Sequence, residues 1–184
     1  MAEYYLISQL PSLDGLAENA PMPITENYFL ELCGQNLGKK MLQEIENLTL
    51  LPPINPEKSS SALVEAWNNG ERDLRLALAK ARAEKMNKPY TLEDKILLPE
   101  ILKIANTAIE IDNPLEAENF LLQYRLAFLE SLRPTDAFAD DYIFYYGLKL
   151  KLILRIKQFD SSLGENTYKN IYNSILNGDR LEAR

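Results

Sequence analysis

Along most of this chain apolar residues return at intervals of three and four, and no stretch alternates apolar and polar positions over the length of a strand, so the pattern predicts an all-α protein. Thr25 stands before Glu26, Tyr28, Phe29, Leu30, Leu32 and Cys33 and is placed to cap a helix that Gly34 ends. A second short helix from about Lys39 to Leu48 completes a hairpin. Ahead of it, Tyr4 to Leu10 fits either a short helix or an extended segment, and Pro11, Pro21 and Pro23 make the entrance loop-rich.

The segment 51–61 carries Pro52, Pro53 and Pro56 and then three serines, cannot continue a helix, and reads as the internal linker. A short helix from Ala62 to Trp67 follows, broken by Asn68-Asn69-Gly70, and a strong one rich in Ala, Leu, Arg and Lys runs from Glu71 to Met86. Thr91 with Asp94 opens the next, which Pro99 kinks or restarts and which reaches about Ile111. The clearest start is Asn113-Pro114-Leu115-Glu116, with a cap, a proline at the first helical position and an acid in the first turn. Pro134 separates that helix from one running from near Ala137 to about Phe159, and a last helix covers about Glu165 to Leu176. From Tyr142 to Lys157 the sequence is apolar nearly all round, so this helix must be central.

Short connections between the later helices favour antiparallel neighbours. The expected architecture is a multi-helix bundle of mostly antiparallel, up-and-down helices with a loop-rich N-terminal part. A single all-helical domain covers 1–184, with 1–50 and 62–178 as sub-lobes should the Pro/Ser-rich 51–61 divide it.

Composition removes several function classes. With no histidine, the commonest general base and transition-metal ligand are missing, and a single cysteine, Cys33, excludes internal disulfides and cysteine-paired zinc sites. Gly34 and Gly38 have no Gly-Lys-Ser or Gly-Lys-Thr near them, so no phosphate loop is present. Neither a cofactor nor a metal is expected. A net charge of −7, from 27 acidic and 20 basic residues, repels a phosphate backbone and argues against nucleic acid as a partner. The longest apolar stretches are interrupted by Lys149, Lys151, Arg155 and Lys157, which excludes a membrane span, and the start lacks the features of a secretion signal. A cytoplasmic protein is expected.

Three features are candidates for chemistry or binding. Arg72, Arg75 and Arg82 fall within roughly 80° of one another on a wheel that turns about 100° per residue, forming a basic stripe suited to a partner's carboxylates or to phosphate. The same arginines also suit internal ion pairs with this acidic chain. The acid pairs Glu44 with Glu46, Glu116 with Glu118 and Asp140 with Asp141 read as capping and solvated groups, since residues two apart on a helix do not share a face and Asp136, Asp140 and Asp141 sit at a helix start where acids meet the dipole favourably. Trp67 reads first as a core anchor, and as an exposed contact only if Asn68-Asn69-Gly70 turns it outward.

The opening Tyr4-Tyr5-Leu6-Ile7-Ser8-Gln9-Leu10-Pro11-Ser12-Leu13, the stretch from Pro21 to Cys33, and Glu71 to Ala83 with its arginines resemble a bacterial family of unknown function encoded within V/A-type ATP synthase gene clusters. The segment Tyr146-Gly147-Leu148-Lys149-Leu150-Lys151-Leu152-Ile153-Leu154-Arg155, with Phe159 and Gly164, is similar to the ending of that family and distantly similar to the C (d) subunit of those rotary enzymes. The resemblance implies a helical, non-catalytic component of the ATPase, a coupling piece between central shaft and membrane rotor that is peripheral at the inner membrane through the complex. Its partners would be protein subunits of that ATPase, with Tyr4, Tyr5, Trp67, Arg72, Arg75 and Arg82 as candidate contacts. Two rivals stand beside it. One is a free-standing helical adaptor or assembly factor; the other is an enzyme built only on carboxylates, Lys, Arg and Tyr, which requires acids from different helices to converge in one pocket.

Overall fold

The computed structural model describes residues 2–16, 21–54, 59–90, 96–158, 169 and 171–172. Among them are seven α-helices and no strand, the all-α class expected. They are α1 (Ala2–Gln9), α2 (Glu26–Asn36), α3 (Lys39–Glu46), α4 (Ala62–Lys85), α5 (Pro99–Glu110), α6 (Pro114–Ser131) and α7 (Asp140–Gln158).

Helix starts follow local side-chain chemistry. Thr25 Oγ1 accepts from the Tyr28 amide at 3.2 Å, Ser61 Oγ from that of Val64 at 3.2 Å, and Asn113 Oδ1 from that of Leu115 at 2.9 Å, each satisfying an orphan N–H of the first turn. Pro99 and Pro114 occupy first-turn positions, where a missing N–H costs nothing. Thr91 and Asp94 lie outside the described residues, as does the last expected helix except for Lys169, Ile171 and Tyr172, which are helical and exposed.

Two expected breaks do not occur. Gly34 lies inside α2, which continues to Asn36 and is closed by the Leu37 amide donating to Cys33 O at 2.8 Å. Asn68-Asn69-Gly70 lies inside α4, a single 24-residue helix. The reason is visible at Gly70: a Cβ there would meet the Phe128 ring at 2.4 Å, so the glycine brings α4 against α6 and does not turn the chain.

The central role of α7 is as expected. Every residue from Ile143 to Leu150 is buried, and α7 packs on α2, α4 and α6. One apolar cluster gathers around it, drawing Leu6 from α1, Phe29 and Cys33 from α2, Ile45 from α3 and Trp67 from α4, and so joining residues from both sides of 51–61. A second lies between the later turns of α4, all of α5 and the start of α6, centred on Leu74, Ala77, Leu78, Ala105 and Leu121.

Helices joined by short connections pair antiparallel. Glu118 meets Arg155 and Glu130 meets Tyr145 between α6 and α7; α4 and α6, which are not consecutive, are also antiparallel, with Trp67 against Phe128 and Glu71 against Arg125. The exception is α4 with α5. Lys85 Nζ at the end of α4 donates to Ile109 O at the end of α5, at 2.7 Å, and Glu100 at the start of α5 lies near Tyr124 together with Glu71 and Asp73 of α4. These two helices therefore run parallel.

Candidate functional site

A strongly charged cleft of about 400 Å³ lies between α4, α6, α7 and residues 50–51. Its apolar wall includes Leu50, Leu51, Leu78, Leu121 and Leu152, and its charged groups are Arg75 and Arg82 from α4, Arg125 from α6, Arg155 from α7, and the carboxylates of Glu71 and Glu118. Four guanidinium groups thus meet two carboxylates on a chain whose overall balance is acidic.

Glu71 organises the cleft. Its side chain is only 2% exposed, and Arg125, itself 12% exposed, grips it with a two-pronged pair: Nε to Oε2 at 2.9 Å and Nη2 to Oε1 at 2.9 Å. Arg75, one turn further along α4, donates to Oε1 through Nε at 2.9 Å and stays exposed. Opposite, Glu118 Oε1 accepts from Arg155 Nη2 at 2.8 Å and Nε at 3.1 Å. Arg82 is exposed, and its guanidinium has no hydrogen-bond or ion-pair partner among the described residues. Both carboxylates act as counter-ions that hold guanidinium groups in fixed planes.

Of the expected basic stripe, Arg75 and Arg82 therefore reach one site and Arg72 does not. Arg72 turns the other way, donating to Asn69 Oδ1 at 3.2 Å and to Pro53 O at 3.1 Å, where it fastens the linker to α4. Trp67 needs a correction as a candidate contact. It is 1% exposed and stacks on Phe128 with centroids 6.0 Å apart, so it is a core side chain with no surface to offer, and its indole Nε1 has no hydrogen-bond partner among the described residues. Tyr4 and Tyr5 are exposed at the other end of the molecule, Tyr4 stacking on Phe138 at 4.4 Å just before α7. From the start of α7 to Arg155 is roughly 22 Å along the helix, so the tyrosines and the arginine cleft do not share a site.

A second polar cluster was not foreseen. Lys149, with its side chain 7% exposed in the middle of α7, donates to Asp14 of the entrance loop, to Glu130 of α6 at 2.5 Å, and to Tyr145 Oη at 3.1 Å. Tyr145 Oη donates in turn to Glu130 at 2.8 Å. Burial alone would lower the Lys149 pKa, but the bonds to Asp14, Glu130 and Tyr145 outweigh it and hold the ammonium charged beyond its ordinary range. The Lys149 hydrogen bond in turn lowers the Asp14 pKa against a smaller opposing effect of burial. Burial pushes Tyr145 up to about 12. This cluster latches the entrance loop to the central helix.

The acid pairs divide between other tasks. Glu44 Oε2 accepts from Ser59 Oγ, the Ser60 amide and Ser60 Oγ at 2.8 to 3.1 Å, clipping the end of the linker to α3. Burial raises the Glu44 pKa, yet these bonds and Lys40 together bring it below its ordinary value. Asp136 Oδ1 accepts from the Phe138 amide at 2.9 Å ahead of α7. Among the described residues no group of three or more acidic or cysteine side chains is arranged to hold a metal ion, and no helix is long and apolar enough to cross a membrane. No family model, curated protein or solved structure matches this chain.

Proposed function

We propose that this chain is a helical, non-catalytic subunit of a bacterial V/A-type ATP synthase or ATPase, a C (d)-like piece of the coupling between central shaft and membrane rotor. The observation that carries the binding part of this reading is the arginine cleft. Four guanidinium groups are gathered on a molecule of net charge −7, and a local field opposite in sign to the whole steers and orients an acidic partner. The resemblance of Tyr4 to Leu13, of Glu71 to Ala83 and of Tyr146 to Arg155 to a family encoded in ATP synthase clusters supports the choice of partner. Arg75 and Arg82 belong to the second of these segments, so the resemblance and the cleft meet on α4.

The test is to co-express the chain with the neighbouring ATP synthase genes and purify the complex through a tag on a different subunit. Stoichiometric recovery with the shaft and rotor subunits is expected. Absence from an intact complex overturns the proposal, whereas recovery confined to assembly intermediates identifies a free-standing adaptor or assembly factor.

A further inference from the structure

Within the partner-binding reading above, on which this inference rests, we infer that the arginine cleft recognises an acidic peptide segment that also carries an apolar side chain, supplied by a protein partner. The committed and available donors separate cleanly. Both prongs of Arg125 are spent on Glu71, and Arg155 is engaged by Glu118. Arg75 gives Glu71 only its Nε, which leaves the two-nitrogen end of its fork for another oxyanion, and the Arg82 guanidinium has no partner among the described residues. Glu71 and Arg125 are thus positioning residues that fix Arg75, and Arg75 with Arg82 are the recognition groups.

Their spacing selects the ligand. Seven residues apart, they lie on one face of α4 at roughly 10 Å along the helix axis, a separation matched by two carboxylates three residues apart in a polyproline II stretch of peptide, where positions i and i+3 share a face at about 3.1 Å per residue. One phosphate is too small to engage both at once. A polyphosphate could span them but would bring several further charges against the wall carboxylates Glu71 and Glu118. Leu50 and Leu51, the lining leucines that keep exposed surface, have no use in binding a bare anion, and they give the side chains between the two acids an apolar seat.

The intact protein, with its arginines labelled with nitrogen-15, is titrated with an acetylated and amidated Gly-Glu-Leu-Leu-Glu-Gly peptide, with its Gln-for-Glu analogue and with tripolyphosphate. The acidic peptide is expected to move the Arg75 and Arg82 Nε–H signals saturably, and the Gln analogue to bind about tenfold more weakly or worse. Arg82→Gln, an exposed change on α4 checked by an unaltered melting temperature, should weaken the acidic peptide by about tenfold as well. Absence of a saturable shift with the acidic peptide, or tighter binding of tripolyphosphate, overturns the inference. Peptide binding by a chain that is missing from the purified ATPase removes the subunit reading and leaves this one standing. Stoichiometric recovery with the ATPase that is indifferent to Arg82→Gln, without peptide binding, removes this one alone.

Discussion

Two buried charges hold helices together here, and their partners decide what each is worth. Glu71 is 2% exposed at its side chain, and its chief partner Arg125 is 12% exposed, so neither can recover water if the other is removed. Lys149 is equally buried, but Asp14 and Glu130 are 53% and 37% exposed and rehydrate when it is lost. Breaking a buried pair from one side costs about 3–5 kcal/mol, whereas contacts to exposed carboxylates are worth about 1 kcal/mol or less. Arg125→Met should therefore lower the urea unfolding free energy by about 3 kcal/mol. Lys149→Met should lower it by about 1 kcal/mol at most, because the methionine keeps the apolar packing and needs no desolvation. Joining Arg125→Met with Glu71→Leu should recover most of the first loss, since an apolar pair of similar volume leaves no orphaned charge. Equal losses in the two single variants would show that partner exposure does not control the energetics.

Among the elements, α4 is the one in which a distant contact overrides local propensity. Gly70 sits mid-helix, where Ala is favoured by about 1 kcal/mol, yet the added Cβ would lie 2.4 Å from the Phe128 ring that stacks on Trp67. Overpacking costs about 1–3 kcal/mol and the displaced aromatic contact about 0.5–1.5 kcal/mol more, so the clash prevails. Gly70→Ala is expected to destabilise by about 1–2 kcal/mol in chemical denaturation, and in a Phe128→Leu background the same change should become neutral or stabilising. A Gly70→Ala effect of the same size and sign in both backgrounds would remove Phe128 from the explanation. The glycine also marks the limit of what was legible in the sequence. Caps at Thr25 and Asn113 were legible because a side chain bonds an amide two or three residues on. Asn68-Asn69-Gly70 carries turn chemistry, and only a contact with Phe128, far along the chain, overrides it. The cleft divides in the same way. Arg75 and Arg82 share a helix face and could be paired from their spacing, whereas Glu71 and Arg125 stand 54 residues apart, with no local pattern to join them.

At the scale of the whole molecule, titratable groups bound the pH range in which the fold is strongest. Asp14 and Glu44, which fasten the entrance loop and the linker, have pKa values below their ordinary 3.8 and 4.5. Their contribution is present above those values and is lost as pH falls through the folded ones. On the alkaline side the sign reverses. Cys33, fully buried on the inner face of α2, is pushed by burial from 9.0 up to about 12, so from about pH 9 the unfolded chain releases a proton that the folded chain retains, and stability falls. Tyr145, raised by burial from 10.0 to about 12, Tyr146 and Tyr124, raised by burial from the same value, and Lys149, raised from 10.5, add to that fall chiefly from about pH 10 upward. The first alkaline loss, between about pH 9 and 10, therefore belongs to the one cysteine. Urea midpoints measured from pH 7 to 10 should be level and then decline for the wild type. For Cys33→Ala they should start lower, because a core contact is lost, and stay level to about pH 10. The difference lies in the slope and not in the starting value, which separates the titration from the cavity. Parallel curves for the two proteins would mean that the Cys33 thiol titrates alike folded and unfolded, and that the alkaline limit is set by Tyr124, Tyr145, Tyr146 and Lys149.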